Sequence, residues 1–193
     1  MSNPEHLLML GVLPRQHYRA GAKWLHWLIA LMVFGLLGVG LYMTDMRISP
    51  QKIQLYMTHK SVGLTVLALM LLRVAYRLKN PPPALPTGIP AWQKTASNIS
   101  HALLYLLLFA MPISGWLMNG ASGFPMKYFG LVRVPDLLAR NQENLALLKL
   151  VHFYIGWTLM AVIVVHVLAA LKHHFVDRDS VLRRMLPAKN LSE

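Results

Sequence analysis

Three stretches of this chain run without a single Asp, Glu, Lys or Arg: Trp24 to Met43 over 20 residues, Thr95 to Met126 over 32, and Leu150 to Leu171 over 22. A helix needs about 20 mainly apolar residues to cross the hydrocarbon core of a bilayer, so each run can span it. A fourth apolar run, Ser61 to Leu72 (SVGLTVLALMLL), has only 12 residues between Lys60 and Arg73. Starting it at Ile53 or extending it to Leu78 gives a spanning length. Both charges then lie near an end, where long basic side chains reach the headgroups. A buried helix in a soluble protein is the alternative, but the other three spans leave little soluble protein to bury it. The expectation is an all-α integral membrane four-helix bundle, antiparallel, forming one domain over residues 1–193, with spans at about 22–44, 53–78, 97–119 and 147–173. The first apolar run exceeds the roughly 7–15 residues of a secretory leader, so it is expected to stay in the membrane.

The charges that remain set the orientation. Only 13% of residues are charged, against about a quarter in a typical soluble domain, and Lys and Arg outnumber Asp and Glu 19 to 7. The segment up to Lys23, the connection between spans two and three, and the tail 174–193 with Lys172 hold 3, 4 and 5 basic residues. The other two connections hold 7 between them, so the 12-to-7 imbalance places both termini in the cytoplasm. Most of the net +12 is thus topological, and no basic helix face with interleaved aromatics suggests nucleic acid. The outer connections keep a positive remainder, since only Asp45, Asp136 and Glu143 offset them. The proline-rich NPPPALPTGIP (Asn80 to Pro90) is expected to be an extended linker. Part of the long connection from Gly120 to Ala146 is expected to lie on the membrane as an amphipathic helix. Pro112 is expected to kink span three, and Trp24, Trp27, Tyr42, Tyr56, Trp116 and Tyr154 suit interfacial belts.

Ionisable groups inside spans are costly and mark function by default. Here they are nearly all histidine. A lone one is more often a hydrogen-bonded structural residue than a ligand, but four together form a pattern. His152 and His166 are 14 residues apart on span four, close to four turns, so they share a face with about 21 Å between them. His26 enters span one from the cytoplasmic side and is expected to meet His166. His59 enters span two from the other side and is expected to meet His152. That makes two layers of two imidazoles. A structural zinc site wants four protein ligands and a catalytic one three. A haem iron, already held by four porphyrin nitrogens, needs only two. The chain has no Cys, which removes disulfides, cysteine-ligated iron–sulfur clusters and covalent c-type attachment. Two non-covalent b-type haems are therefore expected, with His26, His59, His152 and His166 on the irons.

Glycines support this expectation. His59-x-x-x-Gly63 and His152-x-x-x-Gly156 place a glycine one turn deeper on the histidine's own face, where a flat macrocycle needs room. Gly40 lies 14 residues beyond His26, at the outer layer. Glycines also serve helix packing in membranes, so each alone is ambiguous. Arg73, 14 residues after His59, is expected at the inner layer as a partner for haem propionates. His101, at the start of span three, is a candidate for a propionate or a quinone oxygen, with an ordinary interfacial histidine as the alternative. Lys172, His173 and His174 end span four, as a solvated helix end by default or as a quinone or proton-transfer site.

The segments KWLHWL around His26, THKSVG around His59, LLRVAYRLKNPPP, SNISHALLYLLLFAMPISGW and VVHVLAALKHHF resemble the bacterial cytochrome b561 family over about Arg19 to Pro187. The resemblance implies a four-helix protein of the bacterial inner membrane with two b haems, His26 and His166 being axial to one and His59 and His152 to the other. It also implies electron transfer linked to ubiquinone in the respiratory chain. Superoxide oxidation at the periplasmic face, coupled to ubiquinone reduction, is known for a member. Lys60 and Lys149 lie close in sequence to the outer ligands, and the net positive outer connections suit a small anion. The expected function is thus a quinone-linked oxidoreductase passing single electrons to or from a periplasmic small molecule or protein. One alternative is a non-catalytic haem anchor and electron relay for a partner enzyme. Another is a histidine-based metal-ion transporter, which would be expected to carry Asp or Glu in its spans.

Overall fold

The computed structural model describes residues 17–84 and 88–186. Four helices dominate it: α1 (Ala20–Asp45), α2 (Pro50–Lys79), α3 (Ala91–Ser122) and α4 (Gln142–Phe175). All four are long and apolar enough to cross a membrane. Each extends past its expected span at both ends, because the charge-free runs mark only the lipid-embedded part. The second span, interrupted in sequence by Lys60, is one continuous helix of 30 residues. Its start is set by Ser49, whose hydroxyl accepts from Lys52 N at 3.2 Å, with Pro50 in the first turn. Asn141 caps α4 in the same way, its Oδ1 accepting from Asn144 N at 2.9 Å. The α3 helix runs through Pro112 without a break and ends at Gly123, whose φ of 74° is left-handed.

Neighbouring helices are antiparallel, as contacts at their ends show. The start of α1 meets the end of α2, where a Cβ on Gly21 would strike the Tyr76 ring at 2.8 Å. At the opposite end of the same pair, Gly40 faces His59. The core draws Ile29 and Val33 from α1, Val66 and Met70 from α2, Leu107 from α3 and Leu159 from α4. Large apolar residues such as Leu31, Leu106 and Val165 point outwards. That arrangement is wrong for water and right for lipid, where external apolar surface costs nothing.

The described chain ends lie at one end of the bundle, here the terminal end. The other end carries a feature the sequence did not suggest. Residues 123–141 hold no surface helix. They form a hairpin of β1 (Met126–Tyr128) and β2 (Val132–Val134), antiparallel with Tyr128 opposite Val132. The turn is made by Phe129 and Gly130, at φ 46° and 78°. The apolar periodicity that suggested a surface helix belongs to the first turns of α4, which begins at Gln142. Of the expected linker, residues 81–84 have no regular secondary structure, whereas 85–87 lie outside the described residues, as do Arg15 and Lys189.

Candidate functional site

The antiparallel packing gathers histidines near both ends of the bundle. At the terminal end, His26 comes from the start of α1 and His166 from the last third of α4, with ring centroids 6.4 Å apart. His101, which the sequence left without a partner, arrives from α3 and lies 5.6 Å from the His166 ring. Three imidazoles therefore meet where two were expected. Arg73 joins them from α2, its Nη2 reaching His26 Nδ1 at 3.4 Å and its Nε donating to the Tyr105 hydroxyl at 3.2 Å. Its Nη1 is buried with no partner among the described residues. Beside this group a cavity of about 640 Å³ lies between α2 and α3, with Arg77, Asn98, His101 and Tyr105 facing apolar Val74 and Leu78.

At the hairpin end, His59 and His152 each lie against a neighbouring helix. A Cβ on Gly40 would sit 3.5 Å from His59 Cε1, and one on Gly115 would sit 3.2 Å from His152 Cε1. His152 Nδ1 is 2.8 Å from the Ser114 hydroxyl, whereas His59 Nδ1 is buried with no partner among the described residues. The glycines flagged by sequence divide in use. A Cβ on Gly63 would meet nothing within 4 Å, while one on Gly156 would press on Met111 Cε at 3.3 Å. Gly63 thus borders open space, and Gly156 lets α3 and α4 approach. Ser114, Gly115 and Tyr105 were missed, since small or aromatic residues in an apolar helix read as packing.

The hairpin is clasped onto α2 next to His59. Ser61, fully buried, accepts from Phe129 N at 2.9 Å and donates to the Met57 carbonyl. Thr65 Oγ1 pairs with the Tyr128 hydroxyl at 2.9 Å. Lys60 Nζ donates to Asn119 Oδ1 at 2.7 Å, and Asn119 Nδ2 reaches Asp136 Oδ1 at 3.4 Å. At the terminal end, Lys172 and His173 are engaged by the segment that follows α4. Lys172 pairs with Asp177, and His173 Nδ1 with Asp179, at 2.6 and 2.5 Å. His174 Nδ1 is buried without a partner among the described residues. Two belt tryptophans also hold structure. Trp27 Nε1 donates to the Met185 carbonyl at 3.0 Å and Trp116 Nε1 to the Pro135 carbonyl at 2.9 Å.

This donor set fits a b-type haem. Two metal–imidazole bonds of about 2 Å and two ring radii of about 1 Å span about 6 Å, and the His26–His166 centroid separation is 6.4 Å. Open space beside Gly63 and the half-used Arg73 guanidinium are features that a bound macrocycle with two carboxylates would use.

A sequence model of the prokaryotic cytochrome b561 family matches residues 17–188. The chain belongs to this family. It is 37% identical over 169 residues to "Cytochrome b561 homolog 2" of Escherichia coli (strain K12), covering 83% of this chain and 86% of that one. It is 33% identical over 169 residues to the "Probable superoxide oxidase CybB" of Yersinia pestis, covering 86% and 93%. With "Cytochrome b561 homolog 1" of Escherichia coli (strain K12) it shares 33% over 135 residues, covering 68% and 74%. This cytochrome is accordingly a multi-pass protein of the bacterial inner membrane that binds b-type haem and works in electron transfer.

Proposed function

We propose that this cytochrome holds two non-covalent b haems and moves single electrons between the ubiquinone pool and a donor at the periplasmic face, with superoxide as that donor. His26 and His166 are assigned as axial ligands near the cytoplasmic face, and His59 and His152 near the periplasmic face. The observation that carries this reading is the gathering of imidazoles near both ends of one bundle. Arg73 Nη1, in the terminal-end group, is also buried without a partner among the described residues.

When bound, haem supplies reversible one-electron exchange at iron. The chain does the remaining work. His26, His166, His59 and His152 would hold the two irons, which would leave no open site for oxygen and favour electron transfer without bonding to the metal. Arg73, with Arg77 nearby, supplies positive charge for carboxylates at the inner layer. His101 belongs to the polar wall of the adjacent cavity, and its 5.6 Å approach to His166 is shorter than the span an iron between two rings needs. The periplasmic side would be the hairpin end, following the 12-to-7 excess of basic residues at the other. Its exposed Arg47, Lys127, Arg133, Arg140 and Lys149 suit an anionic donor. The relative named a probable superoxide oxidase supports the same choice. The balance is two superoxide anions oxidised to two O₂ while one ubiquinone takes two electrons and two protons to become ubiquinol.

The test is purified protein assayed for haem content and for turnover with superoxide and a short-chain ubiquinone. Two b haems per chain, one in His152→Ala, and ubiquinol formed without any partner enzyme are expected. One haem in the wild type would overturn the two-layer assignment. Intact haems without turnover would favour an anchor that relays electrons for another enzyme.

A further inference from the structure

His152 and His59 are the two imidazoles at the hairpin end, yet their surroundings differ. His59 Nδ1 has no partner among the described residues. His152 Nδ1 has the Ser114 hydroxyl at 2.8 Å, with the Met111 carbonyl beside the ring as a further acceptor, and the same hydroxyl lies 2.8 Å from that carbonyl oxygen. A serine hydroxyl owns one proton and can accept two more. The Met111 carbonyl can only accept, so it takes the Ser114 proton. The oxygen is then left to accept from His152, which must carry its proton on Nδ1. A neutral imidazole has only one such proton, so Nε2 is bare and has its lone pair free. Gly115 completes the arrangement: a Cβ there would stand 3.2 Å from His152 Cε1 and 3.6 Å from Nδ1. The residue after Ser114 must therefore be small for the ring to reach the hydroxyl. Ser114 is only 5% exposed, so water does not substitute for it.

We propose that Ser114 and Gly115 form a seat for His152, the serine fixing its tautomer and raising its basicity and the glycine admitting the ring. Both are positioning residues, and neither touches iron. The inference rests on the axial role proposed for His152. A ligating imidazole whose far N–H is hydrogen-bonded is a stronger electron donor, which favours ferric over ferrous iron. Removing the acceptor raises the midpoint potential of that haem and weakens its retention; partners of this kind are worth about 10- to 100-fold in metal affinity.

The experiment uses purified haem-loaded protein in wild-type, Ser114→Ala, Ser114→Thr, Gly115→Ala and His152→Ala forms. Visible spectra followed through a redox titration give the midpoint potentials, and haem transfer to excess apomyoglobin gives retention. His152→Ala identifies the hairpin-end haem as the one it loses. Ser114→Ala is expected to raise the potential of that haem alone and to speed its loss at least tenfold. Threonine keeps the hydroxyl and is expected to restore both values. Gly115→Ala is expected to speed loss of the same haem. Unchanged potentials in Ser114→Ala, or a shift confined to the other haem, would overturn the seat while leaving the axial assignment standing. Two haems retained in His152→Ala would overturn the assignment and the seat with it.

Discussion

Arg73 Nη2 donates to His26 Nδ1 across 3.4 Å, and that bond places the histidine proton on Nε2, the nitrogen through which His26 is proposed to hold iron. A guanidinium has no lone pair to accept with, so His26 Nδ1 is the acceptor and Nε2 carries the proton. Coordination through Nε2 needs the opposite tautomer. If His26 serves as proposed, loading the terminal-end site would require Arg73 to let go of it. The freed Nη2 then joins Nη1, which is already buried without a partner, while Nε stays with Tyr105. A guanidinium with both tips free is suited to a propionate.

Replacing Arg73 should accordingly affect one haem only. Arg73→Gln removes the charge and the fork, and a hydrogen bond to a charged group is worth about 1.5–3 kcal/mol. Retention of the terminal-end haem is expected to fall roughly 10- to 100-fold, with Arg73→Lys intermediate. Haem-to-protein ratio and haem transfer to apomyoglobin measure this. Equal loss of both haems, or none, would separate Arg73 from the propionates.

The hairpin clasp makes a prediction about stability. Phe129 takes a positive φ of 46°, an unfavourable conformation for an aromatic residue, and its N–H is held by the buried Ser61 hydroxyl. Ser61→Ala leaves that N–H unpaired, at a cost of about 1–3 kcal/mol. Thermal unfolding in detergent should begin at lower temperature, and limited proteolysis should cut first within residues 123–141. Cleavage unchanged from the wild type would show that Thr65 and Tyr128 hold the hairpin without Ser61.

The lipid-facing architecture was plain in the sequence because it depends on bulk hydropathy: any helix with 20 uncharged apolar residues must be covered by lipid or protein. The two charges that blurred the second span, Lys60 and Arg73, proved to be polar contacts between helices rather than boundary markers. The approach of His26 to His166 was legible because the position of each histidine along its span fixes the layer it reaches in an antiparallel bundle. The partner of His101 was not, since it depends on how α3 and α4 rotate against each other. Ser114 and Gly115 were hidden for a related reason. Their meaning lies in a ring 37 or more residues away in the chain. The hairpin was missed because Gly123, Phe129 and Gly130 control the path through backbone dihedrals, while apolar periodicity reports only on the adjoining helix.

Salt dependence tests whether the exposed basic residues of the hairpin end act on an anionic donor. Lys60 is occupied by Asn119, so steering falls to Arg47, Lys127, Arg133, Arg140 and Lys149. The screening length shortens from about 30 Å at 0.01 M salt to about 8 Å at 0.15 M. The second-order rate constant for superoxide should fall severalfold over that interval, while reduction by an uncharged quinol should change little. A superoxide rate insensitive to ionic strength would argue against steering.

Orientation can be read directly, because the chain has no cysteine and every introduced thiol is unique. Leu131 lies in the turn of the hairpin, 84% exposed, and Thr95 lies exposed in the first turns of α3 at the opposite end. Neither replacement alters a charge, so Leu131→Cys and Thr95→Cys leave the basic bias that sets topology intact. In spheroplasts, a membrane-impermeant maleimide is expected to label Leu131→Cys at once and Thr95→Cys only after lysis. The converse pattern would place the termini outside. It would also move the exposed basic residues away from any periplasmic donor, which ties the topology to the choice of superoxide as substrate.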